Sequence, residues 1–453
     1  MFEEWLGEDW KLVSTPDIKA DYGGFHVYAF TMTLGMVFAI LYSIYKFRKK
    51  GLSLSAIAIG TVFIIPASLF GASFFGKLNY DHKGIEDFVG FLKLFAFWDG
   101  GMSIHGGVYG GIIVGLPVLF FIGRKTKVSL LTYTDAILPN VLLGQIIGRW
   151  GNFFNHELTG PKWFQVGMLT GSSGGETVDI SQISIDHYQY LYDGPFGWLF
   201  KNTLAMDKST GEVWQMQPIF LIESLALLLV WIIITFIIPN IGKWLGPKPA
   251  KKHPGQYVIN WGFTCLHFIA PWLKSDTKKT FSQVWDNAYY KNVNEKAKEG
   301  FILTSQAIQE SSASKLQKRW KTNTALIKAN NPDKYWIPKV GMEAFAFIFG
   351  WNVVRFVLEM SRSQDGLFVM YNMPLSLTLI GLSALIGLLG MIITQIGVPQ
   401  LFRRTGYIYE KEYFLINAPT NIVLKTETTI SDKNKLKQEK AKAKLEKLEA
   451  KNK

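Results

Sequence analysis

The chain has 453 residues, of which 48% are hydrophobic and 15% aromatic, and only 18% are charged, against roughly 25% in soluble domains. The hydrophobicity excludes a disordered chain, and the single cysteine, Cys265, excludes a disulfide scaffold. The formal net charge of +13 would suit nucleic-acid binding, but the apolar residues fall in long runs, so the surplus Lys and Arg are expected on cytoplasmic loops and a tail, with no nucleic-acid partner.

A membrane-spanning helix needs about 20 mostly apolar residues, each adding ~1.5 Å across a hydrocarbon core ~30 Å thick. The chain opens with Glu3, Glu4, Glu8 and Asp9, unlike the basic start of a cleavable signal peptide, so the first span is expected to persist in the mature protein. That span is Val27–Tyr45, followed by Lys46, Arg48, Lys49 and Lys50; the second is Ala56–Phe75. A short amphipathic segment, Phe88–Trp98, is expected at the interface. The third span, Gly106–Ile122, precedes Arg124, Lys125 and Lys127, and the fourth is Asp135–Trp150. After the loop Glu157–Met216, rich in Gly, Asp and Tyr, comes the fifth, Ile219–Ile238, followed by Lys243, Lys248, Lys251 and Lys252.

The stretch Lys251–Lys339 is polar and Lys-rich. Its apolar part, Tyr257–Trp272, is expected as an interfacial or packed helix, because an eighth crossing there would invert the two spans that follow. Those are Phe345–Met360 and Leu375–Ile396, the last followed by Arg403 and Arg404. The tail Lys425–Lys453, with ten Lys and five acids, contributes +5. It reads as a solvated charged end or as a segment weakly drawn to anionic lipid.

Every odd-numbered span is followed by a basic loop, which places those loops in the cytoplasm. The expected architecture is therefore an all-α integral membrane protein of the plasma membrane. It is a seven-helix bundle with its N-terminus outside and its C-terminus cytoplasmic. Residues 1–250 carry helices one to five with the extracytoplasmic loop region 157–216. Residues 251–339 form a cytoplasmic insert, 340–404 carry helices six and seven, and 405–453 form the basic tail.

Ionisable groups inside spans are costly unless paired or facing water, so each is a functional candidate. The first cluster runs from Asp99 to Gly111, with His105 and Tyr109 among glycines that permit close backbone approach or tight helix packing. Read alone, His105 fits either a base or a satisfied interfacial side chain. The second runs from Gly148 to Gly160 and crowds Arg149, Asn152, Asn155, His156 and Glu157 into a few residues. Guanidinium binds phosphate in bidentate fashion, and Asn binds ester or glycerol oxygens. In the third, Arg355, Glu359 and Arg362 share one helical face at i, i+4 and i+7. Glu223 stands in an apolar run and could balance an arginine, Tyr28 and His26 open the first span, and Asp135 reads as structural. All three clusters lie toward the outer side, which suggests a positively charged pocket for an anionic phospholipid. There is no metal-ligand spacing, phosphate-cradling loop or dinucleotide fingerprint, so no metal or cofactor is expected. Cys265, in the insert, is not expected to act as a nucleophile.

These residues resemble the prolipoprotein diacylglyceryl transferase family. The segment Gly148-Arg149-Trp150-Gly151-Asn152-Phe153-Phe154-Asn155-His156-Glu157 is similar to the family signature, Met102-Ser103 with His105-Gly106-Gly107 to a second motif, and Arg355, Glu359 and Arg362 to a third. The resemblance covers 24–160, 217–238 and 350–404. It departs at Gln217-Pro218-Ile219-Phe220-Leu221-Ile222-Glu223, where Gln217 and Ile222 replace the His and Tyr of a family motif.

The resemblance implies transfer of the diacylglyceryl group of phosphatidylglycerol to the thiol of the lipobox cysteine in a preprolipoprotein signal peptide. A thioether forms and glycerol phosphate leaves. It further implies that Arg149 and Arg355 hold the phosphate and that the thiol is deprotonated by His105 or, alternatively, by an arginine-assisted route without a histidine base. Tyr28, Asn152, Asn155 and Glu157 would bind substrate, with Glu223, Glu359 and Arg362 in support. The rival reading is a transporter or binding protein for an anionic lipid or solute, which would use the same arginines; no internal repeat of the transporter kind is present.

Overall fold

The structure is a computed structural model that describes residues 10–414 apart from 16–17, 81–87, 100–101, 157–159, 171–176, 271, 274 and 363–365. The acidic start and the Lys-rich tail therefore lie outside the described residues. The chain divides into two compact units: Met1–Ile241 with Ile337–Gln395, and Gly242–Trp336 with Ile396–Lys453.

The first unit is built on the apolar runs. They form α1 (Val27–Lys49), α2 (Leu54–Tyr80), the short α3 (Phe88–Lys93), α4 (Ile104–Thr126), α5 (Leu130–Ile137) and α6 (Val141–Phe154). These are followed by α7 (Ile219–Ile232), and after the second unit's helices by α11 (Met342–Glu359) and α12 (Met373–Phe402). α5 and α6 form one crossing interrupted at Leu138–Asn140, where Pro139 cannot donate to the helix ladder. Six stretches are long and apolar enough to cross a membrane: Val27–Lys49, Leu54–Leu78, Ile104–Thr126, Leu130–Phe154, Ile219–Lys252 and Met373–Phe402. The remaining expected span is a helix too, α11, but it carries Glu343, Arg355 and Glu359 within 18 residues and is set apart from those six. Large apolar side chains such as Leu41, Val62, Phe63, Phe121, Leu225 and Ile386 are exposed on these helices, the arrangement that hydrocarbon, and not water, tolerates.

Small residues let the helices close on one another. A Cβ on Gly35 of α1 would lie 2.6 Å from the Gly144 carbonyl oxygen of α6. Behind these, Leu142, Leu227, Phe347 and Trp351 join α6, α7 and α11 in one buried cluster. Asp135 is structural, as its sequence position suggested. Its carboxylate accepts from the backbone N–H groups of Gly341 at 2.7 Å and Ala344 at 2.9 Å, satisfying the start of α11. Beside it Lys46 bonds Glu343 at 2.6 Å.

The all-α expectation is corrected by a sheet. Strands β1 (Trp10–Ser14), β4 (Lys162–Leu169), β5 (Thr177–Asp179), β6 (Ile183–Ile185), β7 (Leu204–Asp207) and β8 (Glu212–Met216) form six strands in the order β5-β1-β7-β8-β4-β6. β1 runs parallel to β5 and the other pairs are antiparallel. Val13, Val166, Val178, Tyr192, Leu204, Met206 and Val213 form its core. β2 (Asp21–Tyr22) and β3 (Phe25–His26) make a small hairpin before α1. The loop 157–216 is thus largely a folded layer, completed by the N-terminal strand.

The second unit is helical. α8 (Phe281–Lys291), α9 (Glu295–Glu310) and α10 (Lys315–Asn330) start at Thr280, Asn294 and Ser314, whose side chains accept from the third backbone N–H of each helix. Lys411 donates to Asn292 Oδ1 at 2.6 Å, to the Asn330 carbonyl at 2.9 Å and to the Tyr289 carbonyl, so three acceptors satisfy its buried ammonium. The segment expected as an interfacial or packed helix contains a helix of nine residues, Trp261–Ile269, too short to cross a bilayer. Its Trp261, Phe268 and Ile269 are exposed, as is Cys265.

Candidate active site

The site is assembled from α1, α4, α6, α7 and α11. Gly106 brings α4 onto α2 so closely that a Cβ there would lie 2.5 Å from the Gly71 carbonyl oxygen. This contact seats the preceding residue, His105, in the first turn of α4, where it is 2% exposed. The imidazole stacks on Trp351 of α11 at 4.7 Å between ring centres and tilts against Phe368 at 4.2 Å. Its Nε2 has no hydrogen-bond partner among the described residues.

Glu223 of α7 lies between two arginines. Arg149 donates to Oε1 at 2.7 Å and Arg362 to Oε2 at 2.6 Å. Arg355 pairs through Nε with Glu359 at 2.8 Å, one turn further along α11. The Phe368 backbone N–H also donates to Glu359, and Arg355 donates to the Gly366 carbonyl at 3.4 Å. One carboxylate thus holds both Arg355 and the return loop that carries Phe368.

The charge balance of this group is uneven. Three buried guanidinium groups face two buried carboxylates, and buried charge is costly unless it is paired. Among the described residues one cation is in excess. All three arginines line a cavity of 1310 Å³ whose remaining walls are mostly apolar, including Met32, Ile64, Ile112, Leu119 and Val141. Tyr28, His105 and Asn152 line it as well. So does Gln145, a buried amide whose two polar atoms have no hydrogen-bond partner among the described residues. The cavity thus combines three guanidinium groups with a mostly apolar wall.

The signature segment is fixed from behind. Gly151 meets Tyr28 of α1, where a Cβ would lie 2.8 Å from the Tyr28 ring. At the C-terminal end of α6, Asn202 donates to the Phe153 carbonyl at 2.8 Å, and its Oδ1 accepts from Thr15 at 3.0 Å. This links the end of β1 to the end of α6. His156 follows with φ of 53°. Burial pushes its imidazole below the ordinary value, against hydrogen bonds with the backbone of Asn202 and Ile18 that act in the opposite sense.

The structure brings together Tyr28, His105, Arg149, Asn152, Arg355 and Arg362 on one cavity, with Glu223 and Glu359 bonded to its arginines. Asn155 is half-buried at the end of α6 and is not part of the cavity wall, and Glu157 lies outside the described residues. Trp351, Phe368, Gln145 and Asn202 were missed by sequence reasoning. Trp351 and Gln145 left a signal there, each one turn before an arginine, Arg355 and Arg149, on the same helical face. Of the two departures, Ile222 is 41% exposed and is not part of the cavity wall. Gln217 uses its backbone, accepting from Gly160 N at 2.6 Å and donating to the Pro161 carbonyl at 3.1 Å.

Residues 20–284, more than half of the chain, match the sequence model of the family described as prolipoprotein diacylglyceryl transferase. The chain is 33% identical over 187 residues to a phosphatidylglycerol–prolipoprotein diacylglyceryl transferase of Mycoplasmoides gallisepticum, covering 36% of this chain and 46% of the relative. It is 29% identical over 215 residues to the protein so named in Mycoplasmopsis pulmonis, covering 47% and 59%, and 28% identical over 213 residues to that of Oceanobacillus iheyensis, covering 46% and 60%. The chain spans about half the length of these curated relatives. With the match running through His105, Arg149 and Glu223, the chain belongs to the prolipoprotein diacylglyceryl transferase family.

Proposed function

We propose that the protein transfers the diacylglyceryl group of phosphatidylglycerol to the lipobox cysteine thiol of preprolipoproteins. The observation that carries this reading is three guanidinium groups lining a large, mostly apolar cavity, with one more buried cation than buried carboxylate in this group among the described residues. The thiol gives up its proton, the thiolate sulfur attacks the diacylglyceryl carbon bonded to the phosphate oxygen, and that carbon–oxygen bond breaks. Glycerol phosphate leaves with the bonding electron pair, so the phosphate passes from a diester with one negative charge to a monoester with two. Stabilising the charge that develops is the demand that fixed, desolvated donors meet best.

Arg149 and Arg355 are the residues to hold that phosphate, with Glu223 and Arg362 keeping Arg149 in place and Glu359 aligning Arg355. His105, which lines the cavity and whose Nε2 has no hydrogen-bond partner among the described residues, is the base, because the thiolate is the nucleophile. Asn152 and Gln145 offer amides to glycerol and ester oxygens, Tyr28 meets the lipid, and Asn155 and Glu157 serve the acceptor side. The reading includes seven crossings with α11 among them, the N-terminus outside, and a plasma-membrane site that opens on the extracytoplasmic side.

The test supplies purified protein with phosphatidylglycerol and a synthetic lipobox peptide and measures the peptide mass. A diacylglyceryl adduct on the cysteine is expected. No adduct, with phosphatidylglycerol moving between leaflets in the absence of peptide, would establish transport in place of transfer.

A further inference from the structure

The proposed reaction makes no use of a second cavity, which belongs wholly to the second unit. It has a volume of 560 Å³ and lies among the end of α9, the first half of α10 and the residues that follow α12. Lys315, Lys318, Arg319, Arg403 and Arg404 line it, and no described lining residue is a carboxylate. Arg403, 3% exposed, is answered by Glu410 at 2.7 Å. Among the described residues no carboxylate answers the other four.

The walls are built and held. Arg319 lies over the Phe402 ring at 5.5 Å, and Arg404 over the Tyr407 ring at 5.7 Å. Lys318 donates to the Gln309 carbonyl at 2.8 Å. Asn323, buried in the wall, donates to the Gln400 carbonyl at 2.8 Å. Thr322 also lines the cavity, and its buried hydroxyl has no partner among the described residues. Four cations that no described carboxylate answers repel one another around one cavity, and an anion with several acceptor oxygens removes that cost. Arg404, which is exposed, closely follows an apolar helix that ends at the exposed Phe402, a position at which a cationic side chain reaches headgroup level.

We propose that this cavity binds a phosphate group, supplied either by an anionic lipid headgroup or by a soluble phosphate compound. The experiment uses the full chain in detergent, compared with Lys318→Ala/Arg319→Ala. One arm titrates sodium tripolyphosphate and reads its affinity. The other counts, by native mass spectrometry, the phosphatidylglycerol and phosphatidylcholine molecules retained. Affinity for tripolyphosphate weakened ~10-fold or more, the equivalent of one lost charge-assisted bond, assigns the site to soluble phosphate if lipid counts stay equal. One fewer phosphatidylglycerol, with phosphatidylcholine unchanged, assigns it to the headgroup. Lipobox-peptide turnover is expected to stay unchanged in both arms. Equal affinity and equal lipid counts overturn the proposal. Should the double variant melt early, Lys315→Gln, altered at an exposed position, carries the same comparison and the same overturning result.

Discussion

Arg149 in the second half of α6 donates to Glu223 of α7 across 2.7 Å, and both side chains are largely buried. The same carboxylate takes Arg362 on its other oxygen, so a single acid fixes two of the three guanidinium groups that face the cavity. Glu223→Gln keeps the shape and removes the charge. It leaves those guanidiniums desolvated and facing each other, which costs ~3–5 kcal/mol when one partner of a buried pair is removed. A clear fall in unfolding midpoint is expected, with peptide turnover falling ~100-fold through misplacement of Arg149. Full turnover at an unchanged midpoint would show that the arginines are positioned by something else.

His105 is held between Trp351 and Phe368, and its Nε2 has no hydrogen-bond partner among the described residues. General-base help is worth ~10²–10⁴-fold, so His105→Gln, which keeps polarity without a base, is expected to lose at least ~100-fold in turnover. Raising the pH should recover part of the loss by increasing the thiolate fraction of the peptide. Unchanged turnover would remove only the base assignment, since the proposed phosphate site rests on other residues.

Much of the helical plan is legible in the sequence because lipid forces a simple rule: apolar runs of about 20 residues close all backbone bonds within themselves. Arg149 and the Arg355, Glu359, Arg362 trio are legible because ionisable groups beside such runs are expensive. The sheet is not, because its strands span three to eight residues and β1 finds β7 and β5 across more than 150 positions of chain. Phe368 and Asn202 are hidden for a related reason. Each comes to the site from a loop or short turn, with no periodicity to announce it, whereas Trp351 shares a helical face with Arg355 and could have been placed.

His156 gives the site a pH dependence with a defined sign. Burial lowers its folded-state value below the ordinary 6.5, so below that pH the unfolded chain binds more protons than the folded one. Stability therefore rises with pH across the window that ends near 6.5 and is lost as pH falls through it. Unfolding midpoints measured from pH 7.5 down to 5 are expected to decline, and His156→Gln to flatten that part of the decline. A variant whose slope matches that of the natural protein would show that His156 does not titrate across the folding transition.

The adjacent glycines 106 and 107 make a sharp pair of opposite expectations. A Cβ on Gly106 would lie 2.5 Å from the Gly71 carbonyl oxygen and 2.7 Å from the Phe75 Cβ, the first of them backbone that cannot swing aside. A Cβ on Gly107 would meet the Ser68 carbonyl oxygen at 3.4 Å and the Ala72 Cβ at 3.5 Å, ordinary contact. Gly106→Ala must push α4 from α2, with an overpacking cost of ~1–3 kcal/mol and a displacement passed to His105 next to it. Gly107→Ala stays within ~0.5 kcal/mol, and the helix propensity of Ala favours it. Turnover and unfolding midpoint are expected to fall together for the first and to hold for the second. Equal behaviour of the two would mean that α4 is free to move against α2, and that the seat of His105 does not depend on this crossing.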